Sequence, residues 1–119
     1  MSLPISSGNN TVIDGNPGEL SDELLVSAAK SGDTGAFVAL SQRHSRKLLR
    51  TTYRITKNWQ DAEDALQDSL LKALMHLEDF EGRSSFSSWL TRIAVNSALI
   101  ILRKRRAHFQ ISIDGKNDD

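Results

Sequence analysis

The stretch Phe80–His108, FEGRSSFSSWLTRIAVNSALIILRKRRAH, decides how this chain reads. A short polar loop containing Gly82 leads into a helical pattern. Phe86, Leu90, Ile93, Ala94, Ser97 and Ile101 recur at intervals of three and four, which sets them on one face of a helix. Trp89, Arg92, Asn96, Leu99 and Arg103 share the adjacent face. Ser84 or Ser85 can cap the first turn through its hydroxyl. The pattern ends in Arg103-Lys104-Arg105-Arg106, and no acid occurs between Gly82 and Ile113. A cationic helix behind a small-residue loop, interleaved with aromatics, suggests a nucleic-acid reader.

Working outward, the preceding segment predicts a helix from Trp59 to about Glu78, capped by Asn58. Asp61 is expected to return the hydrogen bond in a loose capping box. Ala62, Leu66, Leu70, Ala73, Leu74 and Leu77 make an apolar face. Glu63, Asp64, Gln67, Asp68 and Lys72 lie opposite, with Leu71 and Met75 beside them, which suggests a partner surface. Ordinary packing on a wide helix face is the competing explanation. A further helix runs from the cap Asp33 to about Thr56, with Phe37, Leu40, His44, Leu48 and Ile55 in its stripe. Thr51, Thr52 and Thr56 are weak helix formers and blur its end. The first helix extends from the cap Ser21 to Ser31, and Gly32 stops it. No alternating strand pattern or hairpin dipeptide is present. The expected fold is all-α, a compact bundle of about four helices. Residues 1–19 read as a disordered lead-in, 20–108 as the helical domain and 109–119 as a linker or frayed tail.

A chain of 119 residues holds one domain. Without cysteine there is no disulfide framework and no thiolate metal site. The longest apolar run, Ala98–Leu102, is far too short to cross a bilayer, and no secretory signal precedes the first helix. A cytoplasmic location without membrane insertion is expected. The formal net charge of zero is a sum of opposed blocks. Residues 20–60 carry seven Lys/Arg against three acids, 61–81 seven acids against Lys72 alone, and 82–108 six Lys/Arg and no acid. Either two partners of opposite sign meet two faces, or the blocks neutralise each other inside the bundle.

No catalytic constellation is legible. His44, His76 and His108 are isolated in sequence, no metal-ligand spacing exists and no glycine-rich phosphate loop occurs. The chain is expected not to be an enzyme and to need no cofactor. His44 reads as a structural histidine, because no second ligand lies one turn away. Binding has more support. The block 103–106 can neutralise phosphates and exceeds what a helix C-terminus needs. Asn96 can read a base edge or bond its own helix neighbours. Trp89 can stack on a base or fill the core. Gly82, Arg83, Ser84 and Ser85 can hold an extruded base, or form a plain helix entry.

Three coupled runs, AEDALQDSLLKAL, FEGRSSF and SWLTRIAVNSALIILRKRR, closely resemble region 2 of the extracytoplasmic-function sigma factors of bacterial RNA polymerase. The earlier run ELLVSAAKSGDTGAFVALSQRHSRKLL resembles that family's opening helices. The resemblance implies a domain that binds core RNA polymerase and recognises the minus-ten promoter element as it melts. It implies that Asp64, Gln67, Asp68 and Leu71 meet the coiled coil of the polymerase clamp. Phe80, Arg83, Ser84 and Ser85 would line a pocket for a flipped base of the non-template strand. Asn96 would contact a neighbouring base. Arg92 and Arg103, Lys104, Arg105 and Arg106 would hold the DNA backbone. Two departures stand out. The family carries a second domain, region 4, and nothing after residue 108 is long enough to form it, so a fragment or a reduced protein is expected. Leu99-Ile100-Ile101 is also unusually apolar for that helix, so an anti-sigma factor or a neighbouring domain could cover it. Two rival readings are a generic helical nucleic-acid-binding module and a protein-interaction bundle that binds an anti-sigma factor.

Overall fold

The structure, a computed structural model, describes residues 20–118. The lead-in expected at 1–19 lies outside them. Four α-helices follow in order: α1 (Asp22–Lys30), α2 (Thr34–Thr56), α3 (Trp59–Met75) and α4 (Phe86–Asp118), with a 3-10 turn at Leu77–Asp79 between the last two. No strand occurs among the described residues.

Each helix starts on a side chain that satisfies an orphan amide. Ser21 accepts from the Leu24 amide at 3.2 Å, Asp33 from Ala36 at 3.2 Å, Asn58 from Asp61 at 2.9 Å and Ser85 from Ser88 at 3.0 Å. Of the two serines offered for the last position, Ser85 is the cap. Gly32 turns the chain out of α1 with φ 103°, a conformation that glycine adopts without a Cβ penalty. Lys57 ends α2 in the left-handed region, its amide donating to the Tyr53 carbonyl at 2.8 Å.

α2, α3 and α4 pack on one another, and α1 lies chiefly against α2. Leu25, Leu40, Leu48, Leu66, Phe86 and Leu90 fill the centre. Small residues line much of the rest: Ala62, Ala65, Ser69 and Ala73 on α3, and Ala94, Ser97 and Ala98 on α4, are all buried. Such side chains let two helix backbones approach closely. The threonines that blurred the end of α2 in the sequence are structural. Thr52 and Thr56 are buried, and the Thr52 hydroxyl lies 3.0 Å from the Ala62 carbonyl of α3. The His44 ring bonds Asp22 of α1 at 2.9 Å, so a carboxylate from another helix holds it.

Four expectations are revised. α3 stops at Met75 rather than near Glu78, because the chain tightens into the 3-10 turn that inserts Leu77 into the core. Leu74 is half exposed rather than core, since it sits about 100° round the helix from Ala73, past the edge of the buried face. Asp61 does not close a capping box, because its carboxylate bonds Arg105 instead. The backbone beyond Phe109 stays helical to Asp118 rather than fraying. That segment contains no proline and a single glycine, and extending a nucleated helix is cheap.

Candidate nucleic-acid interface

The loop between the 3-10 turn and α4 is built on aromatic rings. Phe80 is 8 % exposed and meets Phe86 edge-on at 5.7 Å and Trp89 at 5.1 Å, and Phe86 and Trp89 lie 5.7 Å apart. Gly82 then turns the chain at φ 81° with open space where a Cβ would be. Arg92 reaches back from α4 to donate to the Ser84 hydroxyl at 3.2 Å. Arg83 is almost fully exposed and pairs with Glu81 at 3.1 Å.

A cleft of about 330 Å³ opens beside this loop. Phe80, Glu81, Gly82, Ser84 and Phe86 form one side. The other side is α1, through Glu23, Val26, Ser27 and Lys30. Of the loop residues read as pocket lining, Phe80 and Ser84 line the cleft. Ser85 is committed to the helix cap and Arg83 points to solvent, so neither lines it. The α1 wall was invisible in the sequence. Lys30 and Phe80 are 50 positions apart, and a lysine in a last helical turn carries no distinguishing signal.

A second, larger groove of about 620 Å³ runs between α4 and the end of α3. Trp89, Ile93, Asn96, Leu99, Ile100 and Arg103 line it from α4, and Lys72, His76 and Asp79 from the other side. Of the face inferred from spacing, Trp89, Asn96, Leu99 and Arg103 line this groove, while Arg92 turns back to Ser84. The Trp89 ring packs on Phe80 and Phe86 and also lines the groove. One aromatic layer thus separates cleft from groove.

The basic block divides. Arg103, Lys104 and Arg106 are exposed. Arg105 grips Asp61 with two parallel bonds, at 2.5 and 2.9 Å. The DNA-backbone contact expected of Arg105 would thus be made by a side chain that also braces the start of α3, and that side chain is 57 % exposed. Asp61 is only 6 % exposed. The Arg105 hydrogen bonds hold its carboxyl below the usual carboxylate range, against the burial that would raise it. The opposed charge blocks therefore meet inside the bundle at this point only in part. Glu63 and Asp64 remain exposed on α3.

The row read as the polymerase contact lies along the outside of α3. Asp64 and Gln67 are exposed, Leu71 is 57 % exposed, and Asp68 is half-buried. Lys72 bonds Asp68 at 2.9 Å. Burial pushes the Asp68 carboxyl upward, but the Lys72 hydrogen bond and the Lys72 and Lys104 charges help to outweigh it and hold the carboxyl low. Leu74 and Met75, also exposed, extend the apolar part of this surface.

A model of the Sigma-70 region 2 family matches residues 40–108. This chain belongs to the sigma-70 region 2 family. The region 2 domain is 42 % identical over 90 residues to the ECF RNA polymerase sigma factor SigM of Mycobacterium tuberculosis, covering 76 % of this chain and 46 % of that protein. It is 42 % identical over 82 residues to the ECF RNA polymerase sigma-E factor of Haemophilus influenzae, covering 67 % and 42 %. The chain spans less than half the length of either relative. Among solved structures it is similar to an engineered region 2 of sigmaE determined by NMR in complex with GTAAAA. The TM-score there is 0.66 at 34 % identity, over 74 % of this chain and 94 % of that one.

Proposed function

We propose that this region 2 domain acts in transcription initiation in the cytoplasm, by binding and without a catalytic step. In this reading α3 docks on core RNA polymerase through Asp64, Gln67, Asp68 and Leu71. The 80–85 loop and the outer face of α4 take the melted non-template strand of the minus-ten element. The observation that carries the DNA half is the aromatic layer of Phe80, Phe86 and Trp89, with the loop cleft on one side and the Asn96 groove on the other. A cleft of about 330 Å³ has room for one nucleobase. With a base seated there, its neighbours run over Trp89 and Asn96, and their phosphates meet Arg92, Arg103, Lys104 and Arg106. The complex of the sigmaE region 2 with GTAAAA supports a single strand as the ligand. Extruding a base from a duplex costs a few kcal/mol of stacking and pairing. The isolated domain should therefore favour single strands over duplex and bind them weakly, with strong salt dependence.

The test is binding of single-stranded oligonucleotides carrying GTAAAA, varied one base at a time. Asn96→Ala should relax preference at one position by about tenfold. An unchanged preference removes Asn96 from the reading face, and equal affinity for duplex and single strand removes the melted-strand reading. A second reading is a protein-interaction bundle, for instance one that meets an anti-sigma factor. Its support is the apolar content of the groove, Ile93, Leu99 and Ile100, beside exposed Leu74 and Met75. A chain that bound no oligonucleotide at low salt would favour it.

A further inference from the structure

The cleft has two walls that are not neighbours in sequence. One is the 80–85 loop, and the other is α1, which packs chiefly on α2 rather than on the loop. The Lys30 ammonium crosses between them and donates to the Phe80 carbonyl. It also lies 5.9 Å from the centre of the Phe80 ring, within range of a cation–π attraction.

Phe80 is where the loop leaves the core. Its ring is fixed by Phe86 and Trp89, and its amide closes the 3-10 turn on Leu77 at 3.1 Å. The remaining polar group is the carbonyl, and a partly buried carbonyl needs a donor. Past Phe80 the chain runs through Gly82, which has open space around it, until Arg92 holds Ser84. Two long cations therefore hold the loop from two sides, Lys30 at its entry and Arg92 near its exit. Arg92 belongs to the helix that the loop feeds. Lys30 belongs to the opposite wall.

We propose that Lys30 is a positioning residue for base discrimination, setting the width of the cleft by bonding the Phe80 carbonyl from α1. This assignment rests on the reading of the cleft as the seat of an extruded base. Its contribution lies in fit rather than attraction. A wall held at fixed distance rejects bases of the wrong size or edge, and a loosened wall accepts them. Lys30 thereby joins α1 to a recognition step for which the helix shows no motif.

The experiment uses the full chain and the same single-stranded GTAAAA series, with one added probe that is abasic at the most discriminated position. Lys30→Met keeps the aliphatic stem and removes the donor, and Lys30→Arg restores a donor. The ratio of affinities for best and worst base should fall about fivefold to tenfold in Lys30→Met. Affinity for the abasic strand should stay within about twofold, and Lys30→Arg should keep most of the ratio. An unchanged ratio in Lys30→Met overturns the proposal. So does an equal loss on abasic and intact strands, which would make Lys30 a phosphate contact or a general stabiliser. A wild-type chain with no base preference at any position fails differently, because it takes down the reading of the cleft itself and this assignment with it.

Discussion

Asp61 shows how a charge in an acidic helix can be a core element. Its carboxylate is buried at the start of α3 and reaches Arg105, 44 positions on. Breaking such a pair from one side leaves the buried charge without its partner, which is costlier than removing both charges. Arg105→Gln should therefore lower the melting temperature by several degrees at neutral pH, more than Asp61→Asn does. The pH dependence has a definite sign. The Asp61 carboxyl is held below its unfolded value of about 3.9. Its stabilising contribution is thus complete above that value and lost as pH falls through the lower, folded one. The gap in melting temperature between wild type and Asp61→Asn should begin to shrink below about pH 4 and keep closing as the pH falls further. A gap that persists in acid would remove the ion pair from the account. None of this was legible in sequence. The Asn58-to-Asp61 spacing fits a capping box, and the side chain went instead to a partner that only the folded bundle brings near.

At the scale of the helices, α4 carries two sets of side chains along one rod. Its first turns present Trp89, Arg92 and Asn96, and its later turns carry the basic block. All four cations of the block are exposed, and Arg105 is in addition bound to Asp61. If Arg103, Lys104 and Arg106 face phosphate, replacing all three by glutamine should flatten the dependence of log affinity on log salt by about 2 for a single strand. Arg105→Gln should change that slope little while lowering stability. The reverse pattern, an altered slope and an unaltered melt, would return Arg105 to the DNA face. The element pattern itself was readable because local rules agree here: caps, three-four spacing and the glycine stop all point the same way. Leu74 was misread for a physical reason. Spacing identifies an apolar stripe but not its edges, and those edges depend on which neighbour the helix leans on. The threonines of α2 were undervalued likewise, since propensity says nothing of a hydroxyl that finds a carbonyl on the next helix.

For the molecule as a whole, the two proposed partners address different helices, and the test of the scheme is whether they separate. Reversing charge at Asp64 and Asp68 together should weaken capture of core polymerase by more than about tenfold while single-strand affinity stays within about twofold. Parallel loss of both would mean that one surface serves both partners. The order of helices and the groove-lining face of α4 were legible in the sequence, but the cleft was not, because it needs α1 laid beside a loop 50 residues away. The same distinction bears on mechanics. α3 and α4 pack on each other, and both bury short side chains, Ala62, Ala65, Ser69 and Ala73 on the one and Ala94, Ser97 and Ala98 on the other, with Asp61 and Arg105 pinned across them. Short side chains have few rotamers through which one helix can slide or tilt against the other. The junction behaves as a coupling without backlash. If α3 meets polymerase and α4 the melted strand, as proposed, a force applied at the first is delivered to the second with little give between them. Under that proposal, anchoring this domain and prising open a strand become one displacement of a stiff body.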